Sequence, residues 1–266
     1  MLGVIICGAA GRMGSTIVRL VHQSGTMKVV GAVEWSANPQ VNKDAGDVAG
    51  VGSIGLPITV ELLPLLRGQV IVIEFSTPDA TLEHVRLAAK KKVPIIIGTT
   101  GLNQAQLAEI KKLSRQTPIL LSANMSLGVN LLVSLLGKVA KILGDDYDVE
   151  IIEAHHRFKK DAPSGTALAL GRAAAQGLGR NLDEVGINGR KGIVGERTQK
   201  EIAMLSVRAG DIVGDHTVIF GGIGERLEFI HRAHSRETFA QGALRAARWL
   251  AKQKPGFYGM QDVLEL

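Results

Sequence analysis

The side chains of this sequence that could carry out proton chemistry are concentrated in fourteen consecutive residues. The stretch reads Glu153-Ala154-His155-His156-Arg157-Phe158-Lys159-Lys160-Asp161-Ala162-Pro163-Ser164-Gly165-Thr166. The run at 149–152 before it predicts a buried strand, and the apolar run at 167–170 after it predicts a helix. We therefore expect the stretch to be a strand-to-helix loop, an element on which catalytic residues are often displayed.

Two imidazoles and two ammonium groups give this loop its chemistry. His155 and His156 can titrate near neutral pH and can therefore move protons, while Lys159 and Lys160 add positive charge. The combination suits an anionic, carboxylated substrate that needs a proton during its reaction. A solvated basic loop that only caps a helix is the alternative. Neighbouring side chains on a strand face opposite ways, so the two histidines can share a site only if the strand has ended there.

The end of the stretch predicts an anion site. Pro163 and Ser164 fit the start of a helix. The free backbone N–H groups of Gly165 and Thr166 would then point at a ligand above the helix start, and the helix dipole favours negative charge there.

The first 34 residues predict half of a dinucleotide-binding fold. An apolar strand at Leu2–Cys7 leads into the turn Gly8-Ala9-Ala10-Gly11-Arg12-Met13-Gly14, a helix to about Ser24, a second strand at Met27–Val33, and Glu34. In this arrangement the turn faces the cofactor pyrophosphate, Arg12 could contact a phosphate, and Glu34 could bind the adenosine ribose. An ordinary exposed carboxylate is the alternative interpretation of Glu34.

Two further strand ends carry small polar turns. They comprise Gly98, Thr99 and Thr100 in one turn and Ser122, Ala123, Asn124 and Met125 in the other. The carboxyl ends of parallel strands lie along one edge of a sheet, so we expect both turns to bind the cofactor beside the glycine turn. The alternative is that Thr99, Thr100 and Asn124 only cap their turns.

The pattern of elements predicts an α/β protein with an N-terminal Rossmann-like parallel sheet domain and a C-terminal α+β domain with a mixed sheet. We place the first domain at 1–126, rejoined by 236–266, and the second at 127–235. Residues 45–57 are expected to form a loop, 58–66 a short strand and helix, and 181–200 a mobile loop. The second sheet has an apolar face with no chain left to cover it, which favours a homo-oligomer.

Composition narrows the class of protein. The chain has 266 residues, a formal charge of +6 and 4% aromatic residues. The scattered basic residues and scarce aromatics disfavour nucleic acid binding. A single cysteine, Cys7, points to a reducing compartment. We expect no apolar run to reach the length of a membrane span. A cytoplasmic protein without a metal site is therefore expected.

With these residues in view, the sequence resembles the family of bacterial 4-hydroxy-tetrahydrodipicolinate reductases. The likeness covers nearly the whole chain and is most specific at 153–167. Supporting motifs lie at 8–14, at 98–101, at 123–124 with 128–130, at 207–214 and at 224–228.

The resemblance implies an NAD(P)H-dependent reduction of a cyclic dicarboxylate in lysine and diaminopimelate synthesis, with loss of water. It implies that His155 donates the proton and that Lys159 is a second donor and carboxylate partner. It also implies that His156 and the Ser164-Gly165-Thr166 turn bind substrate and that the protein is a homotetramer. Another Rossmann oxidoreductase of amino-acid metabolism and a non-catalytic dinucleotide sensor are the alternatives.

The sequence departs from well-known members of this family at two positions. Trp35 stands where some members carry a basic residue that can meet a 2′-phosphate, and Thr77 replaces an arginine. Trp35 could stack near the adenine but cannot pair with a phosphate, and Glu34 would repel one. Arg12 is the remaining candidate partner of a 2′-phosphate. We therefore expect NADH to be used at least as well as NADPH; no function is assigned to Thr77.

Overall fold

The structure is a computed structural model that describes all 266 residues, Met1–Leu266. Its strands are β1 Leu2–Cys7, β2 Met27–Val33, β3 Val70–Glu74, β4 Ile95–Ile97, β5 Pro118–Leu121, β6 Asp148–His155, β7 Gly186–Asn188, β8 Ile202–Arg208, β9 Gly214–Gly221, β10 Arg226–Ala233 and β11 Gly256–Tyr258. Its helices are α1 Arg12–Gln23, α2 Ala45–Ala49, α3 Pro78–Lys91, α4 Gln104–Leu113, α5 Leu127–Leu143, α6 Gly165–Gly177, α7 Leu182–Val185, α8 Glu237–Leu250 and α9 Met260–Leu264.

The chain forms two compact units. One comprises Met1–Leu127 with Arg236–Glu265, and the other comprises Gly128–Ser235 with Leu266.

The first unit is built on a parallel sheet with the strand order β11-β5-β4-β3-β1-β2. All five strand pairs in this sheet are parallel. The central strands are apolar throughout and buried, because helices cover both faces of such a sheet. The predicted Rossmann-like domain is confirmed, and β11 adds an edge strand that the sequence pattern did not predict.

The second unit contains a mixed sheet with the order β10-β9-β6-β8-β7. β6 pairs with β8 in parallel and with β9 in antiparallel orientation. One face packs against α5 and α6 through a core of Leu132, Leu136, Val149, Ile151, Leu170, Ala174, Ile202, Met204, Val218 and Phe220. The predicted α+β domain with a mixed sheet is confirmed.

The opposite face of this sheet, here called the open face, has no helix of its own unit packed on its apolar side chains. Ile152 is 36% exposed, Val207 is 45% exposed and Ile230 is 49% exposed. The register puts Ile152 and Ile230 in one cross-strand row, each opposite Thr217. An apolar row of this kind on the outside of a sheet is typical of a surface that another chain covers.

The loop predicted at 45–57 is wrong in part, because α2 lies within it. Asp44 caps this helix, and its carboxylate accepts hydrogen bonds from the backbone N–H groups of Gly46, Asp47, Ile54 and Leu56. These hydrogen bonds lower the pKa of Asp44 to about 2, and the bond from Ile54 has the largest effect. Within 58–66, the predicted strand is only a bridge of Thr59 to Val33, and the helix is a 3-10 turn at Leu63–Leu65.

The loop predicted at 181–200 is wrong in part, because its first half contains α7 and β7. Residues 189–200 contain no helix or strand, and two arginines hold them by ion pairs. Arg190 and Arg197 both donate to Glu150, at 2.8 and 3.1 Å, and both pair with Glu201. The polar composition looked like that of a loop because the acidic partners lie elsewhere in the sequence, one of them on β6.

One helical segment, Leu127–Asp146, is long and apolar enough to cross a membrane by length and composition, with a mean hydropathy of 1.6. The expectation that no run reaches this length was therefore wrong. Core helices of soluble proteins pass the same test, so this is weak evidence for a span.

Candidate functional site

His155 is the last residue of β6, so the loop begins at His156, three residues later than the predicted start at Glu153. Glu153 and His155 both lie on the helix-covered face of the sheet, since side chains two residues apart on a strand point the same way. His155 is 9% exposed and Glu153 is fully buried. The strand does end between His155 and His156, which is the condition for the two histidines to share a site.

Glu153 organises the groups around it. Its carboxylate accepts hydrogen bonds from His155 Nδ1 at 2.6 Å, from the Ser164 backbone N–H at 3.1 Å, and from both terminal nitrogens of Arg208 at 2.8 Å. Burial alone would raise the pKa of Glu153, but the hydrogen bonds from Arg208 and His155 outweigh it and lower the pKa to about 2. The group is therefore a carboxylate at neutral pH.

An ionised Glu153 fixes the tautomer of His155. The Nδ1 atom must carry a proton in order to donate to the carboxylate, so Nε2 is the nitrogen that gains and loses a proton. Burial lowers the pKa of His155, and the nearby charge of Glu153 opposes that shift. The Nε2 atom would lie 3.1 Å from a Cβ at position 214, so Gly214 on β9 leaves room beside it.

Lys159 and His156 lie on the loop after β6. The Lys159 ammonium donates to both carboxylate oxygens of Asp161, at 2.8 and 2.9 Å, and this pair lowers the pKa of Asp161. The Nδ1 atom of His156 is buried without a protein partner.

Helix α6 begins at Gly165, directly after Pro163 and Ser164. Ser164 is the N-cap of α6, its Oγ accepts from the Ala167 backbone N–H at 3.1 Å, and Pro163 precedes the cap. Gly165 is the first helical residue and is exposed, with no atom within 4 Å of the place a Cβ would take. Ser164 is 2% exposed and its Oγ accepts from the helix backbone, whereas Gly165 is exposed.

Sequence reasoning missed Arg208 and His216. Arg208 lies opposite His155 on β8, and His216 lies opposite Glu153 on β9. His216 is 3% exposed, and its ring is 5.2 Å from that of His155. A period of two along β6 could have linked Glu153 to His155, but no local pattern links either residue to strands more than fifty residues away.

The first unit contains a cleft of about 640 Å³ at the glycine turn. Residues predicted to bind the cofactor line it, namely Gly8, Ala10, Gly11 and Glu34, together with Trp35 and the unpredicted Phe75, Ser76, Glu83 and His84. Glu34 Oε2 accepts from the Ala10 backbone N–H at 3.0 Å, so the carboxylate is held against the turn.

A second cleft, of about 360 Å³, contains the two other predicted turns. Its lining includes Met13, Gly98, Thr99, Thr100, Ala123, Asn124 and Met125, and it shares Phe75 and Ser76 with the first cleft. The three turns are therefore brought to one edge of the sheet. Ala9, Arg12 and Ser122 line neither cleft.

Two of these side chains also hold their own turns. Thr99 is 7% exposed and its hydroxyl accepts from Thr81 at 2.8 Å. Asn124 Oδ1 accepts from the Ser126 backbone N–H at 2.8 Å. The capping interpretation applies to these side chains, while Thr100 is exposed at the cleft.

The glycine turn fits a dinucleotide. No side chain caps the N-terminus of α1, which follows Gly11, so its first N–H groups can meet a phosphate. Gly8 has a φ of +74°, and a Cβ there would lie 2.6 Å from the Phe75 carbonyl oxygen. A Cβ at Gly14 would lie 2.1 Å from the Gly8 carbonyl oxygen, so this position requires glycine for α1 to pack on the turn.

One group of potential metal ligands lies beneath this turn, formed by Cys7, Glu74 and His84. Glu74 is fully buried and accepts from His84 Nδ1 at 2.5 Å and from the Ser76 backbone N–H at 2.7 Å. Burial and the nearby Glu74 raise the pKa of the Cys7 thiol. These contacts satisfy the carboxylate without an ion.

Comparisons with known proteins agree along the whole chain. The family models described as Dihydrodipicolinate reductase, N-terminus, and Dihydrodipicolinate reductase, C-terminus, match residues 2–125 and 128–264. A 4-hydroxy-tetrahydrodipicolinate reductase of Syntrophus aciditrophicus is 51% identical over 99% of this chain and 98% of its own length. One from Geotalea uraniireducens is 47% identical over the full length of both.

A solved structure shares the fold. The dipicolinate-bound dihydrodipicolinate reductase from Paenisporosarcina sp. TG-14 superimposes with a TM-score of 0.77 at 24% sequence identity, covering 98% of this chain and 99% of that one.

Proposed function

The chain belongs to the dihydrodipicolinate reductase family, and from that premise we propose how its residues divide the work. The activity is the reduction of 4-hydroxy-tetrahydrodipicolinate by a nicotinamide dinucleotide, with loss of water, in lysine and diaminopimelate biosynthesis. This identity decides against the two alternatives, another amino-acid oxidoreductase and a non-catalytic sensor.

His155 is the proton donor in this proposal. The observation that carries it is the bond from His155 Nδ1 to the buried Glu153, which leaves Nε2 as the titrating atom. The dinucleotide supplies a hydride when it is bound, and the protein has to supply the proton. A histidine on a strand end, held by a carboxylate that is itself held by Arg208, is positioned for that task.

The substrate carboxylates are assigned to the start of α6 and to the loop before it. Gly165 and Thr166 present the helix N-terminus to an anion, and Ser164 holds that helix start by capping it. His156 and Lys159 lie on the connecting loop and complete the site. Lys159 is the second candidate donor and a carboxylate partner, which it can become by leaving Asp161.

The dinucleotide is assigned to the glycine turn and the two turns beside it. The residues that would hold it are Gly8, Ala9, Ala10, Gly11, Arg12, Met13, Glu34, Gly98, Thr99, Thr100, Ser122, Ala123, Asn124 and Met125. Glu34 would bind the ribose hydroxyls after release from Ala10.

NADH is proposed to serve at least as well as NADPH. The cleft at the glycine turn is lined by two carboxylates, Glu34 and Glu83, and by no lysine or arginine. Replacing Trp35 by arginine adds the missing cation and is expected to raise kcat/KM for NADPH relative to NADH by about 10-fold. A strong NADPH preference of the unaltered protein would contradict this assignment.

A cytoplasmic homotetramer is proposed, with the open face of the second sheet covered by another copy. The apolar row containing Ile152 and Ile230 supports this assignment, and sheet faces of this kind are stable when a second chain buries them.

The test compares His155→Gln with the unaltered protein. The substitution is expected to lower kcat by about 10²–10⁴-fold, because the general acid is lost, and to leave the Kd of NADH unchanged. Lys159→Gln should raise the KM of the substrate, whereas the control Lys160→Gln, which removes an exposed charge next to it, should not. Full activity of His155→Gln would refute the assignment of the donor.

A further inference from the structure

We propose that His216 is a positioning residue that directs the hydroxyl proton of Ser164 toward a substrate carboxylate at the start of α6. The proposal rests on the function assigned above and adds to it a residue on a different strand, 52 positions further along the chain. It is based on the hydrogen bonds that the two buried side chains, His216 and Ser164, can form.

His216 and Ser164 are both almost completely buried. Ser164 is 2% exposed and His216 is 3% exposed. The His216 Nε2 atom lies 3.1 Å from Ser164 Oγ, which is hydrogen-bond distance. The other ring nitrogen, Nδ1, is buried without a partner. Burial lowers the pKa of His216 to about 4, so the ring is neutral at pH 7 and carries a single N–H.

The position of that one proton decides what the Ser164 hydroxyl can do. If Nδ1 carried it, an N–H donor would be buried with no acceptor, and such orphaned donors are rare in native proteins. If Nε2 carries it, the N–H donates to Ser164 Oγ and only a lone pair at Nδ1 lacks a partner. The second arrangement is the favourable one.

With Nε2 as donor, both lone pairs of Ser164 Oγ are occupied. One accepts from His216 and the other from the Ala167 backbone N–H at 3.1 Å. A hydroxyl has two acceptor positions and one proton, so Ser164 can then act only as a donor. Its O–H has no acceptor in the protein, and it belongs to the residue preceding the exposed Gly165. A bound carboxylate completes the arrangement.

The same histidine also contacts the proton donor. The rings of His216 and His155 meet edge to face with centroids 5.2 Å apart and planes at 76°. A single neutral side chain therefore borders the group that gives the proton and the group that holds the carboxylate. Replacing it should disturb substrate binding without touching the dinucleotide turn.

The experiment measures the Kd of pyridine-2,6-dicarboxylate by calorimetry, together with steady-state kinetics. His216→Phe keeps a ring of similar shape and removes the N–H, and it is expected to weaken binding of this dianion by about 10-fold, as is Ser164→Ala. The substrate KM should rise by a similar factor, while the Kd of NADH stays unchanged. His216→Gln retains an N–H donor and should recover most of the affinity.

The double variant His216→Phe/Ser164→Ala separates positioning from a general packing defect. Residues that act through one another are not additive, so the double variant should bind within about twofold of Ser164→Ala. Phe229→Leu is the packing control, since Phe229 lies on the same sheet face against Phe220. It should lower thermal stability and leave the dianion affinity unchanged.

The outcomes are distinct. If the unaltered protein does not bind the dianion, the proposed function is wrong. If it binds and His216→Phe binds equally well, or if the two substitutions are additive, His216 has no positioning role. Should His216→Phe not fold, His216→Asn removes the reach to Ser164 with a smaller polar side chain and replaces it in the same comparison.

Discussion

Replacing Glu153 by glutamine removes the one negative charge that holds together His155, the proposed proton donor, and Arg208. The carboxylate is fully buried and accepts four hydrogen bonds, two of them from Arg208. A glutamine of the same size offers one acceptor oxygen and an NH₂ group that faces other donors. Both the stability and the activity are therefore expected to fall, for separate reasons.

The stability loss follows from the unpaired guanidinium. Breaking a buried ion pair by removing one partner typically costs about 3–5 kcal/mol. The Arg208 side chain is 20% exposed, so water can reach part of it, and we expect a value near the lower limit, about 3 kcal/mol. Removing the second charge as well, in Glu153→Gln/Arg208→Gln, should recover part of this loss, since no isolated charge remains.

The activity loss follows from the tautomer of His155. Without the carboxylate, Nδ1–H loses its acceptor and Nε2 is no longer fixed as the titrating atom, so kcat should fall by about 10²–10⁴-fold. The charge of Glu153 raises the pKa of His155, so the substitution should also move the falling limb of the pH–rate profile to lower pH. The Kd of NADH should not change.

Equilibrium unfolding in urea measures the first effect, and initial rates of NADH oxidation between pH 5 and 9 measure the second. The matched control is Glu150→Gln, a partly buried glutamate on the opposite face of the same strand. It should lower stability through its lost pairs with Arg190 and Arg197, and it should leave the pH profile in place. If Glu153→Gln kept the kcat and pH profile of the unaltered protein, the assignment of Glu153 as the residue that orients His155 would be wrong.

Three further outcomes are expected. Gly14→Ala places a Cβ 2.1 Å from the Gly8 carbonyl oxygen, so it should weaken NADH binding at least about 10-fold as well as lower stability; wild-type affinity in a dinucleotide titration would contradict this. Ile230→Glu on the open face should yield a smaller species by light scattering, and an unchanged mass would rule out this face as the interface. Burial lowers the pKa of His216 from 6.5 to about 4 in the folded protein. Between these pH values the unfolded chain binds more protons than the folded one, so the unfolding free energy should drop by up to ~3 kcal/mol from pH 6.5 to pH 4. His216→Phe should flatten that dependence, which urea unfolding at both pH values measures.

Local patterns were sufficient for the start of the first unit, because its strand, turn and helix follow one another directly in the sequence. The apolar run at Leu2–Cys7, the glycines that follow it and the helical spacing of Ile17, Val18 and Val21 all describe one strand-turn-helix unit. The turns at 98–101 and 122–125 could be placed beside it, because a parallel sheet brings the carboxyl ends of its strands together. The edge strand β11 was missed because three residues give no period.

In the second unit, local sequence patterns were not sufficient to predict the site. The residues that hold His155 in place lie on three strands, and their pairing depends on a register that no single segment records. Contacts between distant segments also explain the error at 181–200. Arg190 and Arg197 donate hydrogen bonds to Glu150, which lies at least forty residues earlier in the chain. The composition of a segment does not show which distant segment carries the opposite charges. A polar segment that contains glycine therefore predicts a mobile loop, even where ion pairs to distant residues hold it.

The charges around His155 suggest how the proposed donor is loaded with its proton. Glu153 is paired with Arg208 and Lys159 with Asp161, so each pair is neutral as a whole. Burial lowers the pKa of both His155 and His216, so the site without ligand has little net charge. A dicarboxylate entering it brings two negative charges, and an opposite charge nearby favours the protonated form of a histidine. The substrate would therefore raise the pKa of His155, the imidazole that must give it a proton. Protonated His155 would then be present mainly when substrate is bound.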